Sequence, residues 1–73
     1  MTTYTFAVTG MHCASCGILI DETLEEEVAG VQRAETSVRR GRTVVTADDG
    51  LDPAVIAAAI TAAGYQAVLD ATP

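Results

Sequence analysis

The chain has 73 residues, 49% apolar but only 4% aromatic, so one small domain must build its core largely from alanine, valine and isoleucine. Such a domain buries only about 60% of its unfolded surface, which leaves little stability in reserve. Ten acids against four arginines give a net charge of −6, which excludes the basic surface that nucleic-acid binding demands.

In chain order, Thr3 to Thr9 alternates, with Tyr4, Phe6 and Val8 on one face and Thr3, Thr5, Ala7 and Thr9 on the other. This pattern predicts a half-buried strand that Gly10 ends. A loop carries Met11, His12 and Cys13, and a helix is expected from Ser15 or Cys16 to about Ala29. Ile20, Leu24 and Val28 recur every fourth residue there, the mark of a core-facing stripe. Gly30 falls where a left-handed cap is needed.

Val31 to Val38 reads as a second strand with Ala34, Thr36 and Val38 on one face, Arg39 to Gly41 as a turn, and Arg42 to Ala47 as the returning strand. Asp48 to Gly50 is a loop. Asp52 caps a second helix whose first position is Pro53, where a missing N–H costs nothing. Ile56, Ala59, Ile60 and Ala63 form its core face, and Gly64 ends it. Tyr65 to Leu69 makes the last strand, and residues 70–73 are expected to be a frayed tail.

The order βαββαβ leaves no room for a linker, so residues 1–73 form one domain. Right-handed crossovers put both helices on one face of a four-stranded antiparallel sheet, a ferredoxin-like α+β sandwich. The charges are segregated. Arg33, Arg39, Arg40 and Arg42 share one ten-residue window, while Asp21, Glu22, Glu25, Glu26 and Glu27 share another. Both groups read as solvated faces; the sharper alternative is that one steers docking to a partner of opposite charge.

Met11-His12-Cys13-Ala14-Ser15-Cys16 joins the first strand to the first helix. The spacing lets both sulfurs meet one point if Cys13 sits in the loop and Cys16 in the opening turn. The N–H groups and positive dipole end of a helix favour thiolate over thiol there. Soft sulfur selects copper(I), mercury(II) or zinc over hard cations. Two ligands undersupply zinc, which takes four, and suffice for a low-coordinate soft ion. Other readings of a lone CxxC are a chance pair, a thioredoxin-like redox dithiol, or half of a zinc clip completed by a second chain in a metal-bridged homodimer. The redox motif typically has Trp before the first Cys and Pro within the pair, where this chain has His12 and Ala14-Ser15.

Gly10-Met11-His12-Cys13-Ala14-Ser15-Cys16 resembles the GMxCxxC signature of heavy-metal-associated domains, the small copper chaperones and N-terminal modules of copper-transporting P-type ATPases. The resemblance extends to Ile20, Leu24, Gly30-Val31 and Ala63-Gly64-Tyr65. It implies copper(I) held by Cys13 and Cys16 and passed by ligand exchange to such an ATPase or its soluble chaperone. It also implies that Met11 packs beneath the metal loop without ligating, and that Tyr65 is the aromatic that approaches this loop in bacterial members; plain strand packing is the alternative for Tyr65. His12 carries a competent imidazole beside Cys13, but the position is variable in the family and adjacent side chains tend to diverge, so the sequence leaves open whether it joins Cys13 and Cys16 as a ligand. Met1 and a tail ending at Pro73 fit a free chaperone as well as an excised ATPase module.

The chain departs from the family at Gly17, where a branched apolar residue is usual, and at Ile18 and Leu19, where polar residues are common. One of these two should be exposed as an apolar rim unless the helix rotates to bury them. The Glu25-Glu26-Glu27 run sits unfavourably near a negative dipole end. No acid–base pair, nucleophile dyad or phosphate-binding loop is present in the sequence, so no catalysis is expected. With too few cysteines for a disulfide framework, no leader-like segment, and an alanine-rich Pro53–Ala63 run too short for a bilayer, the expected setting is cytoplasmic and reducing, without membrane insertion.

Overall fold

A computed structural model describes residues 1–12 and 14–71. The elements are β1 (Thr2–Thr9), α1 (Ala14–Glu27), β2 (Val31–Ser37), β3 (Arg42–Ala47), α2 (Pro53–Ala62) and β4 (Gln66–Ala71). The four strands form one antiparallel sheet in the order β2-β3-β1-β4, the expected ferredoxin-like arrangement. Among the described residues no helix is long and apolar enough to cross a membrane.

Alternation on β1 turns Tyr4, Phe6 and Val8 inward against Ile20 and Leu24 of α1, Val28 just past its end, which comes at Glu27 and not at the expected Ala29, and Ile56 and Ile60 of α2. Full burial of each such side chain contributes about 1.5–3 kcal/mol. Tyr4 satisfies its hydroxyl by donating to the Leu51 carbonyl at 3.2 Å. Asp52 caps α2 by accepting from the Ala54 N–H at 2.9 Å, with Pro53 in the first turn. Gly30 takes φ +97° at the end of α1, as its position required.

Three expectations are corrected at strand ends. The register of β2 shifts between Val31 and Arg33, so Val31 and Ala34 are both buried although they lie three apart, which strict alternation forbids. Asp70 and Ala71 belong to β4 and are not a frayed tail: Ala71 pairs with Thr5, and the Asp70 carboxylate lies 3.9 Å from Arg42. Residues 72 and 73 lie outside the described residues. Tyr65 precedes β4 instead of opening it.

The acids of α1 do more than solvate it. β2 is a sheet edge, and alternate N–H groups on an edge point away from the ladder. Two of these, on Ala34 and Thr36, donate to Glu25 Oε2 at 2.9 Å and Asp21 Oδ2 at 3.4 Å. The Thr36 hydroxyl donates to Asp21 Oδ1 at 2.7 Å. Because a carboxylate only accepts, that hydroxyl spends its proton on Asp21, and the fully buried Thr43 hydroxyl donates to Thr36 Oγ1 at 2.9 Å. Asp21 and Glu25, four residues apart on one side of α1, thus close the edge and seat the helix on it. Glu26 and Glu27 remain exposed, and nothing in the structure explains them.

Burial raises the Asp21 carboxyl above its ordinary value, while the Thr36 hydrogen bonds oppose the shift and Glu25 and Glu35 add to it. A raised folded value means a stability increment fully present below the unfolded value and lost as pH rises through the folded one. Asp21→Asn removes this titration. The stability of the unsubstituted chain relative to that variant is therefore expected to grow between pH 7 and pH 3.5, as read by urea unfolding at both. A gap independent of pH would contradict the assignment.

Candidate metal centre

β1 ends at Gly10, whose φ of +96° turns the chain towards α1. A Cβ at Gly10 would lie 3.7 Å from Tyr65 Cδ1, so the Tyr65 ring edge stands against the start of the loop. Tyr65 also packs on the core, as does half-buried Met11. Both expected placements of Tyr65, near the loop and in packing, are therefore met together. His12 is exposed. Cys13 lies outside the described residues.

α1 opens at Ala14, a residue or two earlier than expected, which puts half-buried Cys16 in its first turn. There the N–H groups point outward and the dipole end is positive, which stabilises a thiolate. No acidic residue occupies this first turn. Among the described residues no three His, Cys, Asp or Glu side chains gather as a metal-holding group.

The depth at which Cys16 is held depends on the next residue. Gly17 is buried, and a Cβ there would lie 3.0 Å from Val38 Cγ2 and 3.3 Å from Thr36 Cγ2. A side chain there would press on these two methyl groups, so glycine fits the close approach of the helix at a position where the family usually carries a branched residue. Neither Ile18 nor Leu19 is buried by any rotation of α1: they are 59% and 47% exposed.

The hairpin between β2 and β3 reaches the same end of the domain. Arg42, at the start of β3, pairs with Ala7 near the end of β1, and the Val8 N–H donates to the Gly41 carbonyl at 2.8 Å. The sequence marks this turn as basic but does not say that it stands beside the loop, because that depends on the sheet order.

Residues 5–66 match the family model of the heavy-metal-associated domain. The chain belongs to this family. As a heavy-metal-associated domain it is 36% identical over 69 residues to mercuric reductase of Shigella flexneri, a match covering 94% of this chain and 12% of that enzyme. The chain therefore spans about an eighth of the length of that relative. Among solved structures it superposes on a copper binding domain from HMA7, a P-type ATPase, with TM-score 0.94, 30% identity, and 99% and 97% of the two chains covered. The copper chaperone of Enterococcus hirae gives TM-score 0.84 and 29% identity over 92% of this chain and 98% of its own.

Gly17→Val is expected to push α1 away from β2 and cost about 1–3 kcal/mol in urea unfolding. Adding Val38→Ala should recover a large part of that loss, because the two side chains compete for one space. Purely additive effects would show that the close approach is not the reason for the glycine.

Proposed function

We propose that this domain holds one copper(I) ion between the thiolates of Cys13 and Cys16 and passes it to the thiols of another protein. The observation that carries the reading is the place of Cys16 in the first turn of α1, three residues after Cys13, in a chain of the heavy-metal-associated family. Two thiolates on a monovalent cation leave one net negative charge, which the helix end stabilises. Low coordination leaves room for an incoming thiolate. It bonds to the metal before one of the original sulfurs departs, so the ion moves without being released and without any change of oxidation state. The acceptor is a copper-transporting P-type ATPase or a soluble chaperone that serves one, in the cytoplasm, where thiols stay reduced.

Mercury(II) is a second cargo of the same site. It is equally soft, and the likeness to mercuric reductase favours weighing it. Competition of copper(I), mercury(II) and zinc against a chromogenic chelator separates the cargoes, and the expected order places zinc last for want of ligands.

In that assay Cys13→Ser or Cys16→Ser should each weaken copper(I) binding by more than roughly 100-fold, since even outer-shell changes at metal sites cost about 10–100-fold. Retention of tight binding after both substitutions would end the proposal. His12→Ala should leave affinity unchanged from about pH 5 to 8, the range over which an imidazole ligand would lose its proton and gain grip.

A further inference from the structure

The sheet has two edges, and α1 closes only one of them. On β2, Asp21 and Glu25 take the outward N–H groups of Thr36 and Ala34. On β4 the ladder shows which groups point outward. The Val8 N–H donates to the Gly41 carbonyl, so the backbone of Val8 faces β3 and that of its neighbours Ala7 and Thr9 faces β4. Ala7 and Thr9 lie opposite Val68 and Gln66, whose groups therefore face inward. Ala67 and Leu69 are left with N–H and C=O directed away from the sheet, and among the described residues no hydrogen bond reaches them from that side. Lysine and proline commonly blunt such an edge, and β4 contains neither. Its one irregularity lies beyond Leu69.

The flanks of this edge carry little charge. α2 packs against β4, contains no charged residue, and exposes Ala54, Val55, Ala58, Thr61 and Ala62. Val68 is 68% exposed on the open face of the sheet, and Leu69 is 39% exposed on the helix side, opposite Phe6. On α2 and β4 together the charges are Asp52 at the helix cap and Asp70, which lies 3.9 Å from Arg42.

We propose that β4 pairs with β4 of a second copy, antiparallel about Val68, joining the two four-stranded sheets into one. The strand is complementary to itself in this register. Ala67 of each copy faces Leu69 of the other and exchanges both N–H···O=C bonds with it, so every outward group there gains a partner. Val68 meets Val68 on the open face as a β-branched cross-strand pair. Gln66 falls opposite Asp70, an amide donor against a carboxylate that only accepts. For a chain of net charge −6 the seam is also the side that keeps the acids apart. The two α1 helices, with Asp21, Glu22, Glu25, Glu26 and Glu27, sit at the outer β2 edges of the joined sheet. The two-fold axis sends the two β1–α1 loops to opposite ends, so the pairing needs no metal and is independent of the metal-transfer reading.

Sedimentation equilibrium of the reduced, metal-free chain tests this, together with amide hydrogen exchange at low and high protein concentration. The expected result is twice the monomer mass at high concentration, with protection of the Ala67 and Leu69 amides that grows with concentration. Val68→Lys sets two ammonium groups across the axis at a side chain the single domain leaves exposed, and should weaken dimerisation roughly tenfold. Ala67→Pro deletes an N–H that β1 does not use, at an edge position where proline is accepted, and should abolish the dimer. Far-UV circular dichroism and urea unfolding check that both variants remain folded. A single monomer mass up to millimolar concentration would overturn the proposal. So would a dimer that survives both substitutions in folded protein, or one that forms only when copper(I) is added. Protection at Ala67 and Leu69 that is the same at every concentration would overturn it without recourse to any variant.

Discussion

The seating of α1 on the edge strand β2 governs the rest of this domain. Two contacts set it. At the top, Gly17 lets the helix backbone come within van der Waals reach of Val38 and Thr36. Lower down, Asp21 and Glu25 take hydrogen bonds from the N–H groups that an edge strand cannot give to a neighbour. The first contact sets how deep the opening turn lies, and the second sets its height along the strand. Cys16 inherits both coordinates. An edge that would otherwise invite pairing with another chain is closed by the same carboxylates.

This use of acids links stability to charge placement. Asp21 is partly buried and its ionised form is penalised for that, yet the hydroxyl chain from Thr43 through Thr36 ends on it. Exchanging it for an apolar residue would leave the Thr36 N–H and hydroxyl without this acceptor, and an unmade hydrogen bond at a buried site costs about 1–3 kcal/mol. Glu26, Glu27, Asp48, Asp49 and Asp52 collect at the far end, while Glu35 pairs with Arg33 and Asp70 lies 3.9 Å from Arg42. Packing and long-range field thus draw on one set of residues for different purposes.

The metal end is assembled from three connections that are distant in the sequence: the β1–α1 loop, the β2–β3 hairpin, and the Gly64-Tyr65 step into β4. Antiparallel pairing of β1 with β3 and β4 brings them together, because each connection leaves the sheet on the same side. A soft ion carried there would meet an exposed apolar rim, an aromatic ring at the base of the loop and a positive flank.

Much of this was determined by local rules that act on neighbouring residues. Alternation set β1 and β3, the fourfold spacing of Ile20, Leu24 and Val28 set α1, and Asp52-Pro53 set the start of α2, so the βαββαβ order and the candidate pair Cys13 and Cys16 were legible from the chain alone. Only the tertiary structure decided what depends on residues far apart in sequence. The bulge that turns both Val31 and Ala34 inward and the pairing of Ala71 with Thr5 are register choices, made by the partner strand. The reason for Gly17 lies 19 and 21 residues away, in Thr36 and Val38. Asp21 and Glu25 look like any solvated helix face until the sheet order makes β2 an edge. Periodicity reports which side of an element is buried; it carries no information about which element covers that side, and the seating of the helix is a matter of that second kind.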